Sequence, residues 1–508
     1  MQSSDKYSNL DKWIIVHFAL FTRLLSLILQ AVLNAAIPDH EADAFSPPRA
    51  EKPLLLDYSV DLLFGGLGHW DAEHFLFIAE QGYLFEHNFA FFPLFPFILR
   101  SVAANLLWPL SPVLTVRGRL LLAVTVTNST FFVLSALALH GLSTVVLQDR
   151  KLALITGLIY SLTPANVFML AGYSETLFAA LTFGGLWLLE KGFTIRACLL
   201  LGLATGARAN GLINAGFLLY LTLQWGLAQA WRPRYLQCTW AAIKFLFILP
   251  FCIAIIVLPF CLFQFYGYYT FCIPSVTEEH ISPVLLKLAK VKGYRVPNAA
   301  APIPGWCLKP VPVLYSYIQD VYWDVGFLRY FQLKQLPNFL LALPIATLSV
   351  TAVYMYIRAN PYFCLRLGLG ESPKKGKEGK PPTDFYSPKV FVYIAHLFIL
   401  LLFGTFCMHV QVLTRFLASS SPVVYWISAH FLSSEYSLLE KKNVIHEQQL
   451  EDYRYNFIHF FRLYNNNLVI KLLMHWRTCS FSTRCILGYF ISYWLIGLAL
   501  HCNFLPWT

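Results

Sequence analysis

The sequence predicts an all-α polytopic membrane protein, and three observations carry that prediction. Hydrophobic residues make up 57% of the 508 positions and charged residues only 13%, about half the ~25% charge of an ordinary soluble domain. Mean hydropathy is +0.56. Apolar runs of the ~20 residues that cross a bilayer recur along the chain, parted by short charged breaks. The same composition excludes disorder, a collagen-like fibre and a secreted disulfide scaffold. The net charge of +11 sits in the breaks, and no nucleic-acid-binding module is present. Positive cytosolic loops account for it, so nucleic acid is not an expected partner. The 11 cysteines are scattered without a CxxC pair, which weakens zinc and thioredoxin-like readings. One membrane-embedded domain is expected over 1–508.

Trp13–Ile37 is apolar with one arginine, Arg23. It exceeds the about 7–15 apolar residues of a signal peptide and is expected as an uncleaved first transmembrane helix. Residues 38–117 hold Asp57, Asp61, Asp71, Glu73, Glu80 and Glu86 with His69, His74 and His87, and are expected as the first luminal loop. Within them Phe91–Leu99 carries two prolines and is expected to lie at the membrane surface. Core helices fill 118–263. Leu120–Leu147, Leu152–Ala171 and Thr176–Leu189 are parted by Asp149-Arg150-Lys151 and by Gly172-Tyr173-Ser174-Glu175. Ala197–Leu223 is broken by Gly206, Arg208, Asn210 and Gly211 into two short helices, and Ala241–Phe263 follows a basic break at Arg232 and Arg234. A long mixed loop occupies 264–336. In 337–508, Leu340–Tyr356, Val390–Met408, the short Val423–Leu432 and Ile486–Leu500 are apolar. A basic loop, 358–389, includes Lys374–Lys380, and His409–Pro422 is polar. Positive loops belong in the cytosol, with Lys441 and Lys442 among them. That places 38–117, 172–175, 208–210, 264–336 and 409–422 on the opposite side. The scheme gives about eleven spans, provided 91–108 does not cross.

The non-cytosolic segments concentrate the chemistry. His69-Trp70-Asp71-Ala72-Glu73-His74 sets a carboxylate among aromatic and imidazole groups. Low dielectric raises a carboxyl pKa, which suits a general base. A solvated loop acid fits the same residues, and so does a metal site on His69, Asp71, Glu73 and His74, although no zinc motif has that spacing. Glu175 stands at a helix start with Ser174 as a candidate cap. Arg208 and Asn210 interrupt an apolar run; polar groups at membrane depth mark a site, or Arg208 snorkels to the interface. Gln319, Tyr322 and Trp323 combine the amide and aromatic groups that bind sugars, or form an interfacial belt. His409, Gln411 and Arg415 share the segment 409–422, where an arginine can grip a lipid phosphate. Asn128-Ser129-Thr130 matches a glycosylation acceptor but lies inside an expected span. Cys272 and Cys307, both in 264–336, are expected to pair in an oxidising lumen.

Several segments resemble the GPI mannosyltransferase 2 family (phosphatidylinositol glycan class V). They are HWDAEHFLFIAEQGY at 69–83, AFFPLFP at 90–96, SLTPANVFMLAGYSETLFA at 161–179, LATGARANGL at 203–212, YIQDVYWDVGFLRYFQLKQLPNFLLALP at 317–344, HVQVLTRFLASSSPVVYW at 409–426 and LGYFISYWLIGLALHCNFLPWT at 487–508. The chain departs from the pattern at Pro304-Gly305, where a proline is expected beside Trp306. The resemblance implies a GT-C type glycosyltransferase of the endoplasmic reticulum membrane with luminal catalytic loops. It implies transfer of the second mannose, α-1,6-linked, from dolichyl-phosphate-mannose to the glycosylphosphatidylinositol (GPI) precursor. It also implies inversion, with Asp71 as the base. His69, Trp70, His74, Glu175, Arg208, Asn210, Gln319, Trp323, His409, Gln411 and Arg415 are the candidate substrate-binding residues, with Arg415 first and Arg208 second for the donor phosphate. No metal or other cofactor is expected, since dolichyl-phosphate-sugar members of the class do not generally depend on one. Partners are the two lipid-linked substrates, with a small accessory membrane subunit as a further candidate. A polytopic lipid transporter or scramblase, or a non-catalytic assembly subunit, are the competing readings; the repeat-related halves usual in transporters are absent.

Overall fold

The computed structural model describes residues 2–49, 51–230, 244–273, 281–298, 302–369, 384–447 and 467–507. They form helices and connecting turns, with no strand among the described residues. Among the described residues six helical segments are long and apolar enough to cross a membrane: Asn9–Ala36, Val116–Leu147, Lys244–Cys272, Leu333–Ala359, Pro388–Phe406 and Phe481–His501. Helices Arg150–Tyr160, Glu175–Glu190, Thr194–Ala207, Ala215–Ala230 and Val423–Glu447 pack among them. The six leave the expected count of about eleven spans as an expectation. The basic stretches at Arg232, Arg234 and Lys374–Lys380 lie outside the described residues.

The ends of these helices follow from their sequence. Thr115 caps Val116–Leu147 by accepting from the Gly118 amide at 3.3 Å. Asp149 caps Arg150–Tyr160 by accepting from the Leu152 amide at 2.8 Å. Each satisfies a backbone donor that the first turn leaves free. Small residues bring helices together where packing replaces the hydrophobic drive inside a bilayer. A side chain at Gly202 would meet the Ile255 carbonyl oxygen at 2.7 Å, which is why Thr194–Ala207 lies against Leu249–Cys272.

Four expectations are corrected. The segment 409–422 is a 3₁₀ turn followed by a helix, Leu413–Ser420, whose buried Leu413, Phe416 and Leu417 form an apolar face. The apolar stretch Val423–Leu432 is the start of a longer helix, Val423–Glu447. The span begun near Ala241 continues to Cys272. Ser174 makes no side-chain cap to Glu175–Glu190. The stretch Leu94–Leu106 is a short apolar helix, about 20 Å long at 1.5 Å per residue and short of a ~30 Å hydrocarbon core. It buries Phe95, Leu99 and Ala103 and exposes Phe97 and Leu106.

Candidate active site

Three separate segments converge on one cluster of charges. The first is a 3₁₀ turn, Gly65–Gly68, then His69 and Trp70, then the helix Asp71–Gln81. Trp70 has φ 58°, a left-handed conformation that only glycine adopts freely. Such a residue costs roughly 1–3 kcal/mol and persists where its surroundings fix it. Here it places Asp71 at the first position of its helix. The second segment is the connection Ala171–Glu175. Asn128, wholly buried in the middle of Val116–Leu147, donates to the carbonyls of Ala171 and Tyr173 and accepts from the Thr176 hydroxyl at 2.6 Å. The Gly172 amide donates to the Leu67 carbonyl at 2.8 Å, joining this connection to the Asp71 turn. The third segment is the helix Leu413–Ser420, which carries Arg415.

The guanidinium of Arg415 links the other two. It donates to Asp71 Oδ2 at 2.9 Å and lies 3.7 Å from Glu175 Oε1. Arg208, in the extended break after Thr194–Ala207, pairs with the same Glu175 oxygen. The rings of Phe168 and Tyr173 support Arg415, their centroids 5.1 and 5.3 Å from its guanidinium carbon. Burial opposes the charge of Arg415, but Asp71 and Glu175 together hold it cationic. Asn210 donates to Ser420 at 3.0 Å and so ties the Arg208 break to the Arg415 helix. The two carboxylates differ in access: the Asp71 side chain is 34% exposed, that of Glu175 0%.

The remaining predicted residues surround this cluster at varying remove. His409 stacks on Tyr330 with ring centroids 4.7 Å apart, and its pKa is lowered by burial, opposed first by the Trp323 backbone and then by Asp324 and Asp71. Gln411 accepts from the Tyr330 hydroxyl at 2.8 Å. Trp323 meets Phe91 and His74 edge-on. Gln319 lies on the helix Leu314–Val321, where its carbonyl accepts from the Val325 amide. His69 turns to Phe504 and lies 3.8 Å from Asp39; burial pushes its pKa down to about 4. His74 is sandwiched between Phe45 and Phe91, and burial pushes it down to about 3. Glu73 pairs with Arg117. The four residues weighed as metal ligands therefore point to different partners. Among the described residues no group of three or more His, Cys, Asp or Glu could hold a metal ion.

Sequence reasoning passed over two further sets. Asn128 was visible as a lone amide in an apolar run, but only its contacts give it a role. Glu86, wholly buried, accepts from the Trp306 indole and the Tyr322 hydroxyl, each at 2.9 Å, with Arg295 at 3.8 Å. The Cys272–Cys307 disulfide joins the end of Leu249–Cys272 to the turn that holds Trp306. Beside His69, Asn34, Asp39, Arg49, Asp61 and Phe504 line an open cavity of about 350 Å³.

The sequence profile described as mannosyltransferase (PIG-V) matches residues 12–508. The chain belongs to the PIG-V mannosyltransferase family. It is 49% identical over 97% of its length to GPI alpha-1,6-mannosyltransferase 2 of Homo sapiens, covering 98% of that protein. It is 34% identical to GPI mannosyltransferase 2 of Drosophila pseudoobscura pseudoobscura, over 84% of this chain and 92% of that one. Among solved structures it is similar to the archaeal oligosaccharyltransferase AglB from Archaeoglobus fulgidus, with 11% identity and a TM-score of 0.45. That alignment covers 95% of this chain and spans 56% of the longer protein. As a PIG-V family mannosyltransferase the chain is a multi-pass membrane glycosyltransferase, which sets aside the transporter and assembly-subunit readings.

Proposed function

We propose that this mannosyltransferase transfers the second, α-1,6-linked mannose from dolichyl-phosphate-mannose to the GPI precursor at the luminal face of the endoplasmic reticulum membrane. The observation that carries the mechanism is the unequal access of the two carboxylates. Glu175 is enclosed by two guanidinium groups, whereas Asp71 shares only Arg415 and opens to the outside. The acceptor hydroxyl oxygen attacks the anomeric carbon, the bond from that carbon to the phosphate oxygen breaks, and the hydroxyl proton passes to Asp71. One displacement inverts a β-linked donor to an α-linked product and needs no covalent nucleophile. The departing dolichyl phosphate gains negative charge as the bond breaks. Arg415 and Arg208 are preorganised cations for that charge, fixed by Glu175 before the substrate arrives. Arg415 is thus both partner of the base in the resting enzyme and acceptor of the phosphate charge. With two arginines in that role no metal is called for, and EDTA is expected to leave turnover unchanged; loss of turnover on chelation would overturn that part of the reading.

The test is the purified full chain given dolichyl-phosphate-mannose and the one-mannose precursor. A two-mannose product with a new α-1,6 linkage is expected. Cells lacking the protein are expected to accumulate the one-mannose precursor. If they accumulate another intermediate, the assignment of the step is wrong. Transfer that appears only after a small membrane partner is added back assigns that partner to the enzyme.

A further inference from the structure

The helix Phe481–His501 is followed by a short segment whose polar residues face inward. His501, Cys502 and Asn503 are each 0% exposed. Burying polar side chains costs free energy unless they are bonded, and the bond of His501 leads to the active site. His501 Nε2 lies 3.2 Å from the Tyr173 hydroxyl, and Tyr173 is one of the two rings under Arg415. The Asn503 side chain donates to the Ala499 carbonyl at 2.7 Å, and the Asn503 backbone carbonyl accepts from the His40 amide at 3.0 Å. Phe504 then turns through φ 54°, a left-handed conformation like that of Trp70. The turn sets its ring on His69, centroids 3.7 Å apart and planes 21° from parallel, with the Trp70 ring 5.8 Å away. Close approach depends on Gly66: a side chain there would meet Cys502 at 2.9 Å.

One segment therefore touches the neighbours of both halves of the Asp71–Arg415 pair. Through Phe504 it holds His69 and Trp70, the two residues that precede Asp71. Through His501 it holds Tyr173, beneath Arg415. The Trp70 indole nitrogen is buried without a hydrogen-bond partner, so the ring is placed by packing rather than by a polar bond. Two aromatic residues with left-handed backbones meeting beside one carboxylate are costly, and that cost is offset where it fixes a geometry. We propose that His501 and Phe504 are positioning residues of the active site, holding Asp71 and Arg415 in register through His69–Trp70 and Tyr173. The proposal rests on Asp71 and Arg415 being the reacting pair.

The experiment measures transfer by the full-length protein carrying Phe504→Ala, Phe504→Tyr and His501→Ala. Folded yield and unfolding midpoint are read on the same preparations. Phe504→Ala is expected to lower kcat about tenfold or more while the donor KM stays within about twofold, the pattern of an interaction felt in the transition state. Phe504→Tyr restores kcat because it keeps the stacking ring. If Phe504→Ala lowers the folded yield, Phe504→Leu, which keeps apolar volume but no ring, carries the same expectation. His69→Ala added to Phe504→Ala costs less than it costs alone, because residues acting through one contact are not additive. The inference is overturned if kcat stays within about twofold in both Phe504→Ala and His501→Ala, or if the His69 and Phe504 effects multiply. If instead the wild-type protein transfers no mannose, the proposed function fails and not the positioning role alone.

Discussion

Asp71 and Glu175 are both acids beside Arg415, and their surroundings give them opposite work. Asp71→Asn keeps the side-chain volume and a group that can face Arg415, but it cannot take a proton. It should fold and insert normally and lose nearly all transfer in a radiolabelled-mannose assay. Retention of activity within about tenfold, a loss of only ~1.4 kcal/mol, would remove Asp71 as the base. Glu175→Gln should behave differently. Two guanidinium groups would be left facing a neutral amide at a site with no exposure, and breaking a buried pair costs about 3–5 kcal/mol. Unfolding midpoint and transfer should therefore fall together for Glu175, and transfer alone for Asp71. Equal midpoints for the two variants would show that Glu175 is not the buried counter-ion. These residues were legible in the sequence as polar groups of the segments placed opposite the basic loops, and the resemblance singled out Asp71 as the base. Their pairing was not, because Asp71 and Arg415 stand 344 positions apart and no spacing rule connects them. Phosphate binding by Arg415 was the expectation, and the contact to Asp71 adds a second role that only the folded chain displays.

At the scale of elements, two links join separate segments, one of them at the site. The apolar run Leu120–Leu147 read as a span, yet its length could not distinguish Asn128 from a tolerated polar residue within it. Its donations to the carbonyls of Ala171 and Tyr173 and the hydroxyl it accepts from Thr176 make it the peg of the Ala171–Glu175 connection. Asn128→Leu, close in size, leaves those carbonyls with no donor from this side chain inside the bundle, at a cost of about 1–3 kcal/mol for each group left bare. It should lower the unfolding midpoint and the transfer rate together, although it touches no substrate. An unchanged midpoint would assign the connection's geometry to the backbone alone. The second bond was legible: Cys272 and Cys307 are the only cysteines of the 264–336 loop. Their disulfide spans a separation of 35 residues, for which loop-closure entropy gives about 4 kcal/mol. Cys272→Ser with Cys307→Ser should lower the midpoint, and mass spectrometry of the unreduced wild type should find the two cysteines joined. The helix Leu413–Ser420 was missed because its polar Thr414, Arg415, Ser419 and Ser420 read as a loop. Its helicity shows in the i, i+3, i+4 spacing of Leu413, Phe416 and Leu417.

For the whole molecule, composition settled the class: too little charge to cover a soluble surface leaves a bilayer protein. It could not say how the segment 38–117 responds to acid, which depends on burial. His69, His74 and His87 all belong to 38–117, outside the membrane spans, and burial depresses each imidazole from the ordinary 6.5, to about 4 for His69 and about 3 for His74 and His87. His87 also feels repulsion from His74, and both of its ring nitrogens are buried without partners. The sign follows from proton counting. Between the folded and unfolded values the unfolded chain binds protons that the folded chain does not, so acid favours unfolding. The contribution to stability is complete above about pH 6.5 and drains away as pH falls toward 4 and then 3, by up to about 1.4 kcal/mol per pH unit for each histidine. The detergent-solubilised protein should therefore lose unfolding midpoint steadily from about pH 7 to 5. His87→Phe retains the ring packing against Phe45, Phe85 and Tyr294 and removes one titrating group, so its midpoint should fall less steeply over that range. Parallel slopes for wild type and variant would show that His87 is already free to protonate in the folded state, and the aromatic cluster around it would then be open to water.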